Sequence, residues 1–272
     1  MKNVYIFGGS FAENRFSEKM LGNKKWTEIV ADEFGFDNIE YRGEGATGNN
    51  RIAFKIFDQV LRFHNKIDLV LIWWSNWLCE SFYCGEYNFT TSLKKSFKFN
   101  ETQKDQALGQ HEAFMKALTS YNHKNLPYHI INRNIIDNFV KTQKILECYD
   151  IPYIMIQGDC PLLFWYPELG EPNSHIGYTG IPTTLEEEQK LRELIKYDKM
   201  IELIEEQSQY INQKTFIWYP GVPELGGTNW NYKNSYESGF NQKYSEKNGK
   251  LTQEGQNYIA SLFIERYKNL YV

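Results

Sequence analysis

Ser10 closes the apolar run VYIFGG and is followed three residues later by Glu13, and that placement admits two kinds of chemistry. A serine delivered on a sharp glycine turn can act as an acyl-transfer nucleophile once a neighbouring base takes its proton. With Glu13 at the capping-box spacing, the same hydroxyl can instead satisfy the first amides of a helix. Two further turns carry polar or glycine-rich residues, namely GEGATGNN at 43–50, with Gly45, Gly48 and Asn49, and Ser75-Asn76-Trp77. GEGATG also satisfies the G-x-G-x-x-G of dinucleotide sites, which need an acid roughly 20 positions on, at the far end of the next strand. The only acid near that spacing, Asp68, begins its strand and belongs at the opposite edge. No G-x-x-x-x-G-K-[ST] occurs, which excludes a P-loop.

These residues need a scaffold, and the hydrophobic pattern supplies one. NVYIFGG reads as a strand, NKKWTEIVADEFGF as a helix capped by Asn23 with Trp26, Ile29, Val30 and Phe34 inward, and NIEYR as a second strand. NNRIAFKIFDQVLRFH follows as a helix with Ile52, Phe54, Ile56, Val60 and Leu61 on one broad face, then IDLVLIWW as a third strand. Strands apolar on both sides belong to parallel sheets covered by helices. Beyond an insertion at 75–128, containing a helical stretch near QALGQHEAFMKALTSY, come a long amphipathic helix (IINRNIIDNFVKTQKILECYD) and a fourth strand (IPYIMIQ). Residues 158–247 form a second elaboration, with a loop, a charged helix from TLEEEQ to SQYI, and KTFIWYP as a fifth strand. TQEGQNYIASLFIERYKNL closes the chain as a helix. The expectation is a single α/β domain over 1–272, a doubly wound, flavodoxin-like parallel sheet of about five strands with two long insertions. In such a sheet ligands bind beyond the carboxyl ends of the strands, which brings Ser10, the glycine loop and Asn76 to one edge.

Composition narrows the classes of partner. The 272 residues carry a net charge of −4, 42% hydrophobic and 16% aromatic residues. Lysines and arginines are spread along the chain without the concentrated basic footprint of a nucleic-acid binder. The first residues start a strand rather than a signal peptide, and no apolar run reaches the roughly 18 residues of a membrane span. Cytosolic synthesis and no membrane association are expected. Cys79, Cys84, Cys148 and Cys160 form no C-x-x-C pair and have no histidine at zinc-finger spacing, so reduced, mostly buried thiols and no metal or cofactor are expected.

Ser10 after strand one, a glycine loop after strand two and Asn76 after a Trp-containing strand three resemble the first three blocks of the SGNH (GDSL-type) hydrolases. The resemblance is closest to small SGNH-like proteins carried in phage genomes. It implies Ser10 as nucleophile, with its amide, Gly45 (Gly48 and Asn49 being alternatives of register) and Asn76 forming the oxyanion hole. The family's fourth block is a D-x-x-H or D-G-H element, a Ser or Thr two residues on, a Gly and the last helix. Here it reads KNGKLTQEGQNYIA. Thr252 and Gly255 match, while Asn248 stands in the acid's place and Lys250 in the histidine's. Gly9 also replaces the usual Asp before the serine.

A serine without a base is a poor nucleophile, and Lys250 could serve only if burial lowered its pKa towards roughly 7 to 8. Asn248 cannot stabilise a cationic partner as a carboxylate would. Among the histidines, His64 falls at the wrong edge and His111 and His123 lie in the insertion. His129, just before a helix, and His175, after the fourth strand, fall on the correct side. Three functions follow: an SGNH-like binding or structural protein, with virion proteins or an acylated carbohydrate polymer as partners; an esterase or deacetylase with a non-standard base; and a nucleotide-binding protein.

Overall fold

The computed structural model describes residues 1–9, 12, 24–43, 48–74, 79–84, 87–92, 128–157, 209–217 and 251–272. Five strands make one parallel sheet: β1 (Asn3–Gly8), β2 (Asn38–Tyr41), β3 (Leu69–Trp74), β6 (Tyr153–Gln157) and β7 (Phe216–Ile217). Their order is β2-β1-β3-β6-β7, the flavodoxin-like winding expected from the sequence. Helices α1 (Trp26–Phe34), α2 (Asn49–Phe63), α3 (Tyr128–Cys148) and α4 (Gln253–Tyr271) flank it.

Alternation along the buried strands divides the core into two layers. Tyr5, Phe7, Val70, Ile72, Trp74, Tyr153, Met155 and Phe216 pack with Ile52, Ile56 and Val60 of α2 and Ile136, Phe139 and Leu146 of α3. Val4, Ile6, Leu69, Leu71, Trp73, Ile154, Ile156 and Ile217 pack with Trp26 and Val30 of α1 and Ile259, Ala260 and Phe263 of α4. All six residues of β3 are buried. A strand covered on both sides has no polar face to show, which is why its sequence is unbroken in hydrophobicity.

The amino edge of the sheet is closed by short polar bonds. Asp68 accepts from the Asn3 amide at 2.7 Å, Asp37 accepts from the Lys2 amide at 2.7 Å, and the Asn38 carboxamide donates to Asn3 Oδ1 at 2.9 Å. A 3₁₀ turn at His64–Lys66 precedes β3 at this edge, and His64 stacks on Tyr149 with centroids 4.4 Å apart.

Several expectations are corrected. The residue at the N-cap of α1 is Lys25, not Asn23, and Glu28 accepts from the Lys25 amide at 2.9 Å. Phe54 and Leu61 of α2 are exposed, because the stripe that meets the core is narrower than the hydrophobic run and comprises Ile52, Ala53, Ile56 and Val60. Cys148 is exposed at the last residue of α3, not buried. His129 lies within the first turn of α3 rather than before it. Residues 209–211 form a turn, so the charged helix does not reach Ile211.

The 75–128 insertion contains an antiparallel hairpin, β4 (Cys79–Cys84) with β5 (Tyr87–Ser92), that the sequence reading passed over. Its signal is two six-residue runs separated by Gly85-Glu86, a two-residue connection with glycine first, which is a recognised hairpin spacing. The helical stretch expected at QALGQHEAFMKALTSY and the loop following β6 lie outside the described residues.

Candidate functional site

Helix α1 after β1 and helix α3 after β3 pack on opposite faces of the sheet, and β1 and β3 are neighbours, so the crevice of this fold opens between the carboxyl ends of these two strands. Gly8 is paired in register with Trp73 there. A side chain at position 8 would drive its Cβ into the Trp73 carbonyl oxygen and to 2.9 Å from both Trp73 Cβ and Ala12 Cβ. The backbone at Gly8 has φ +148°, a region favourable only to glycine. The Gly9 amide then donates to the Trp73 carbonyl at 3.3 Å, and the Ala12 amide donates back to the Gly9 carbonyl at 3.0 Å. A bonded Gly9–Ala12 turn therefore follows directly on β1.

The β2 connection closes on this turn. Gly43 lies so near Ala12 that an added Cβ would strike the Ala12 carbonyl and come within 2.9 Å of its Cβ. The Arg42 amide is held by the Ile6 carbonyl at 2.8 Å, and Gly48, with extended backbone, precedes the first residue of α2. Asn49, the first residue of that helix, is buried. The turns after β1 and β2 thus meet backbone against backbone, and only a glycine at 43 permits the approach. What Gly43 supplies is the absence of a side chain.

The carboxyl end of β3 sends Trp73 into one layer and Trp74 into the other. Trp73 lies 6.0 Å from Trp26, which stacks on Phe263 at 4.6 Å. Trp74 packs on Phe139 at 4.7 Å. Asn76 follows Trp74 by two residues in the sequence.

The fourth block meets the same region through α4. Thr252 caps the helix, its Oγ1 accepting from the Gly255 amide at 3.1 Å, a bond that satisfies one of the orphan amides of the first turn. Leu251 is buried in the layer that holds Ala12, Trp26 and Trp73. Gln256 Oε1 accepts from the Trp26 amide at 2.9 Å, and Gln253 Nε2 donates to the Lys24 carbonyl at 3.1 Å. The returning end of the β1–α1 connection is therefore fastened to the first turn that follows the fourth block. No local spacing reveals this contact, because its partners are 230 residues apart.

Ser10, Gly45, Asn76, Asn248 and Lys250 lie outside the described residues, as do His111, His123 and His175. Their immediate neighbours are described: Gly9 and Ala12, Gly43 and Gly48, Trp74, and Leu251 with Thr252. Gly9, Gly43 and Trp74 lie at or just beyond the carboxyl ends of β1, β2 and β3, Gly48 precedes α2, and Leu251 and Thr252 precede α4. His64 belongs to the amino edge, as its position before β3 predicts. Helix α3 leads back to the start of β6, so its first turn, with His129, lies towards the carboxyl edge.

For a dinucleotide, the arrangement is a poor match. The glycine loop follows β2, the outermost strand, rather than a strand bordering the crevice between β1 and β3. Asp68, the acid at ribose-binding spacing, is committed to the Asn3 amide at the amino edge. Among the described residues no group of three or more His, Cys, Asp or Glu could hold a metal ion, and no helix is long and apolar enough to cross a membrane.

No protein-family model matches the chain, and no curated protein matches it. Solved structures do. A protein assigned to the G-D-S-L lipolytic family, from Desulfitobacterium hafniense DCB-2, is 10% identical, with 98% of this chain and 99% of the other covered at a TM-score of 0.39. The acetyl xylan esterase AlAXEase is 11% identical, covering 99% of this chain and 100% of its own at a TM-score of 0.43. TesA is 9% identical over 99% of each chain, with a TM-score of 0.40. The fold assignment itself stands on this chain's own strand order and two-layered core, an α/β sheet wound on both faces.

Proposed function

We propose that this chain is an SGNH-type α/β protein whose fourth block no longer supplies a general base, so that its carboxyl edge binds rather than hydrolyses. It serves as a binding or structural component, phage-encoded and virion-associated, whose partners are other virion proteins or an acylated carbohydrate polymer. The observation that carries this reading is the Thr252–Gly255 cap. The cap supports aligning Thr252 with the family's Ser or Thr, and two residues upstream of it, where the family carries histidine, the sequence has Lys250. Four residues upstream, in the acid's place, is Asn248. An ammonium at its ordinary pKa near 10 holds its proton at neutral pH and takes none from a serine.

The test is hydrolysis of p-nitrophenyl acetate by the wild type and by Ser10→Ala. Equal rates are expected; a rate that collapses in the variant overturns the proposal.

One observation favours a second reading, in which Ser10 remains a nucleophile. The first turn of α3 puts His129 towards the same edge as the β1 turn. On this reading both Ser10→Ala and His129→Ala abolish a measurable wild-type rate.

A further inference from the structure

At the β7 side of the sheet, backbone pairing runs out and side chains take over. Strand β7 pairs with β6 at two positions only, Met155 with Phe216 and Ile156 with Ile217. The Pro152 carbonyl is bonded to the Val70 amide on the β3 side. Successive residues of a parallel strand alternate the direction of their backbone groups, so the N–H and C=O of Tyr153 face the β7 side. Among the described residues no strand residue meets them there, because residues Gln213–Thr215 form a 3₁₀ turn.

The Tyr271 hydroxyl fills this position, accepting from the Tyr153 amide at 3.1 Å and donating to the Tyr153 carbonyl at 3.0 Å. On the other layer, the buried Gln143 carboxamide does the same for the turn leading into β7. It accepts from the Asn212 amide at 2.9 Å and donates to the Asn212 carbonyl at 3.1 Å and to Thr215 Oγ1 at 2.9 Å. Arg266 adds a bond from Nη1 to the Lys214 carbonyl at 2.8 Å. Each of the first two side chains reads the N–H and C=O of a single residue, as a neighbouring strand would.

We propose that Tyr271 acts as a strand surrogate on β6 where β7 falls short, and that Gln143, with Arg266, clips the turn leading into β7, making β7 an edge element that opens locally without unfolding the core. Two ladder positions are too few to hold an edge strand by themselves, and the buried polar groups of the turn need partners wherever water is excluded. Local opening of this kind is governed by the bonds specific to the segment rather than by global stability.

Native-state hydrogen exchange tests the proposal. In Tyr271→Phe, which keeps the ring, the Tyr153 amide should exchange at least tenfold faster than in the wild type. In Gln143→Leu, the Asn212 and Ile217 amides should do so. The Ile6 and Leu71 amides of the central strands should keep their wild-type rates in both. Unchanged exchange at Tyr153 and Asn212, or equal acceleration at every core amide, overturns the idea of a separately clipped strand. If Gln143→Leu does not fold, Arg266→Ala, which removes only the bond to the Lys214 carbonyl, decides for β7 by acceleration at Ile217 with or without the same change at Ile6 and Leu71.

Discussion

Gln256, in the first turn of α4, accepts a hydrogen bond from the amide of Trp26 at 2.9 Å, so the last helix caps the first one. Helix starts leave amides without internal partners, and most are served by a residue close in sequence. Here the service comes from the far end of the chain and draws the β1–α1 connection towards the fourth block. Replacing Gln256 by Ala should lower stability by about 1 kcal/mol, a typical cost of losing one such bond. In a chain of this size that is a fall in Tm of roughly 2–4 °C. Thermal unfolding of Gln256→Ala beside Gln256→Glu, which keeps an acceptor, checks it; an unaltered Tm in the Ala variant would remove the cap from the account.

Two glycines with positive φ should respond very differently to alanine. Gly35 ends α1 at φ +67° with nothing near enough to meet a Cβ, so Gly35→Ala should cost about 1–2 kcal/mol, from left-handed backbone strain alone. Gly8→Ala combines a glycine-only backbone with collision against Trp73, and about 3 kcal/mol or more is expected. Denaturant titration of both variants gives the comparison. A Gly8→Ala protein as stable as Gly35→Ala would mean that β1 and β3 do not close on each other at Trp73.

Restoring the missing pair offers a gain-of-function prediction. Asn248→Asp with Lys250→His rebuilds the D-G-H element, since Gly249 already stands between them. If the frame around Ser10 is intact, the double variant should hydrolyse p-nitrophenyl acetate well above the wild type, by about 10²-fold or more, as general-base assistance ordinarily contributes. The gain should vanish when Ser10→Ala is added. No gain in a folded double variant would point to further losses around the serine.

Alkaline stability follows from buried phenols. Burial first, and then the Glu147 carboxylate that accepts from its hydroxyl at 2.9 Å, push the Tyr153 pKa far above its ordinary value near 10. Burial also raises Tyr41, Tyr267 and Tyr271. Above about pH 10 the unfolded chain releases phenolic protons that the folded chain retains, so the unfolded state binds fewer and folding stability falls as pH rises. The contribution is complete below that pH and is lost on going above it. Chemical unfolding between pH 8 and 11 should therefore show a decline that is shallower in Tyr153→Phe, and parallel curves would contradict the assignment.

Legibility of the sequence divides along physical lines. β1, β3 and β6 are buried on both faces, so their unbroken apolar runs announce a parallel sheet, and the amphipathic α1, α3 and α4 follow from helical periodicity. The hairpin β4–β5 went unseen because its polar and aromatic residues alternate without a conspicuous apolar run, and only the two-residue gap at Gly85-Glu86 marks it. Phe54 and Leu61 misled because composition records that a residue is apolar, whereas helix geometry decides which way it points. At the site, Gly8 and Gly43 were legible as glycines, but their reason, a backbone pressed against Trp73 or Ala12, is a tertiary fact. Gln256 and Gln143 were invisible for the same cause, since a carboxamide that serves a distant amide has no local signature.

Trp73 and Trp74 leave the same central strand in opposite directions, one beside Trp26 and the other on Phe139. Adjacent chromophores therefore report on separate halves of the interior. Among the seven tryptophans of the chain, replacing Trp73 or Trp74 by phenylalanine subtracts the signal of one half, and the difference between each variant's melt and that of the wild type would reveal whether the two come apart together or in turn.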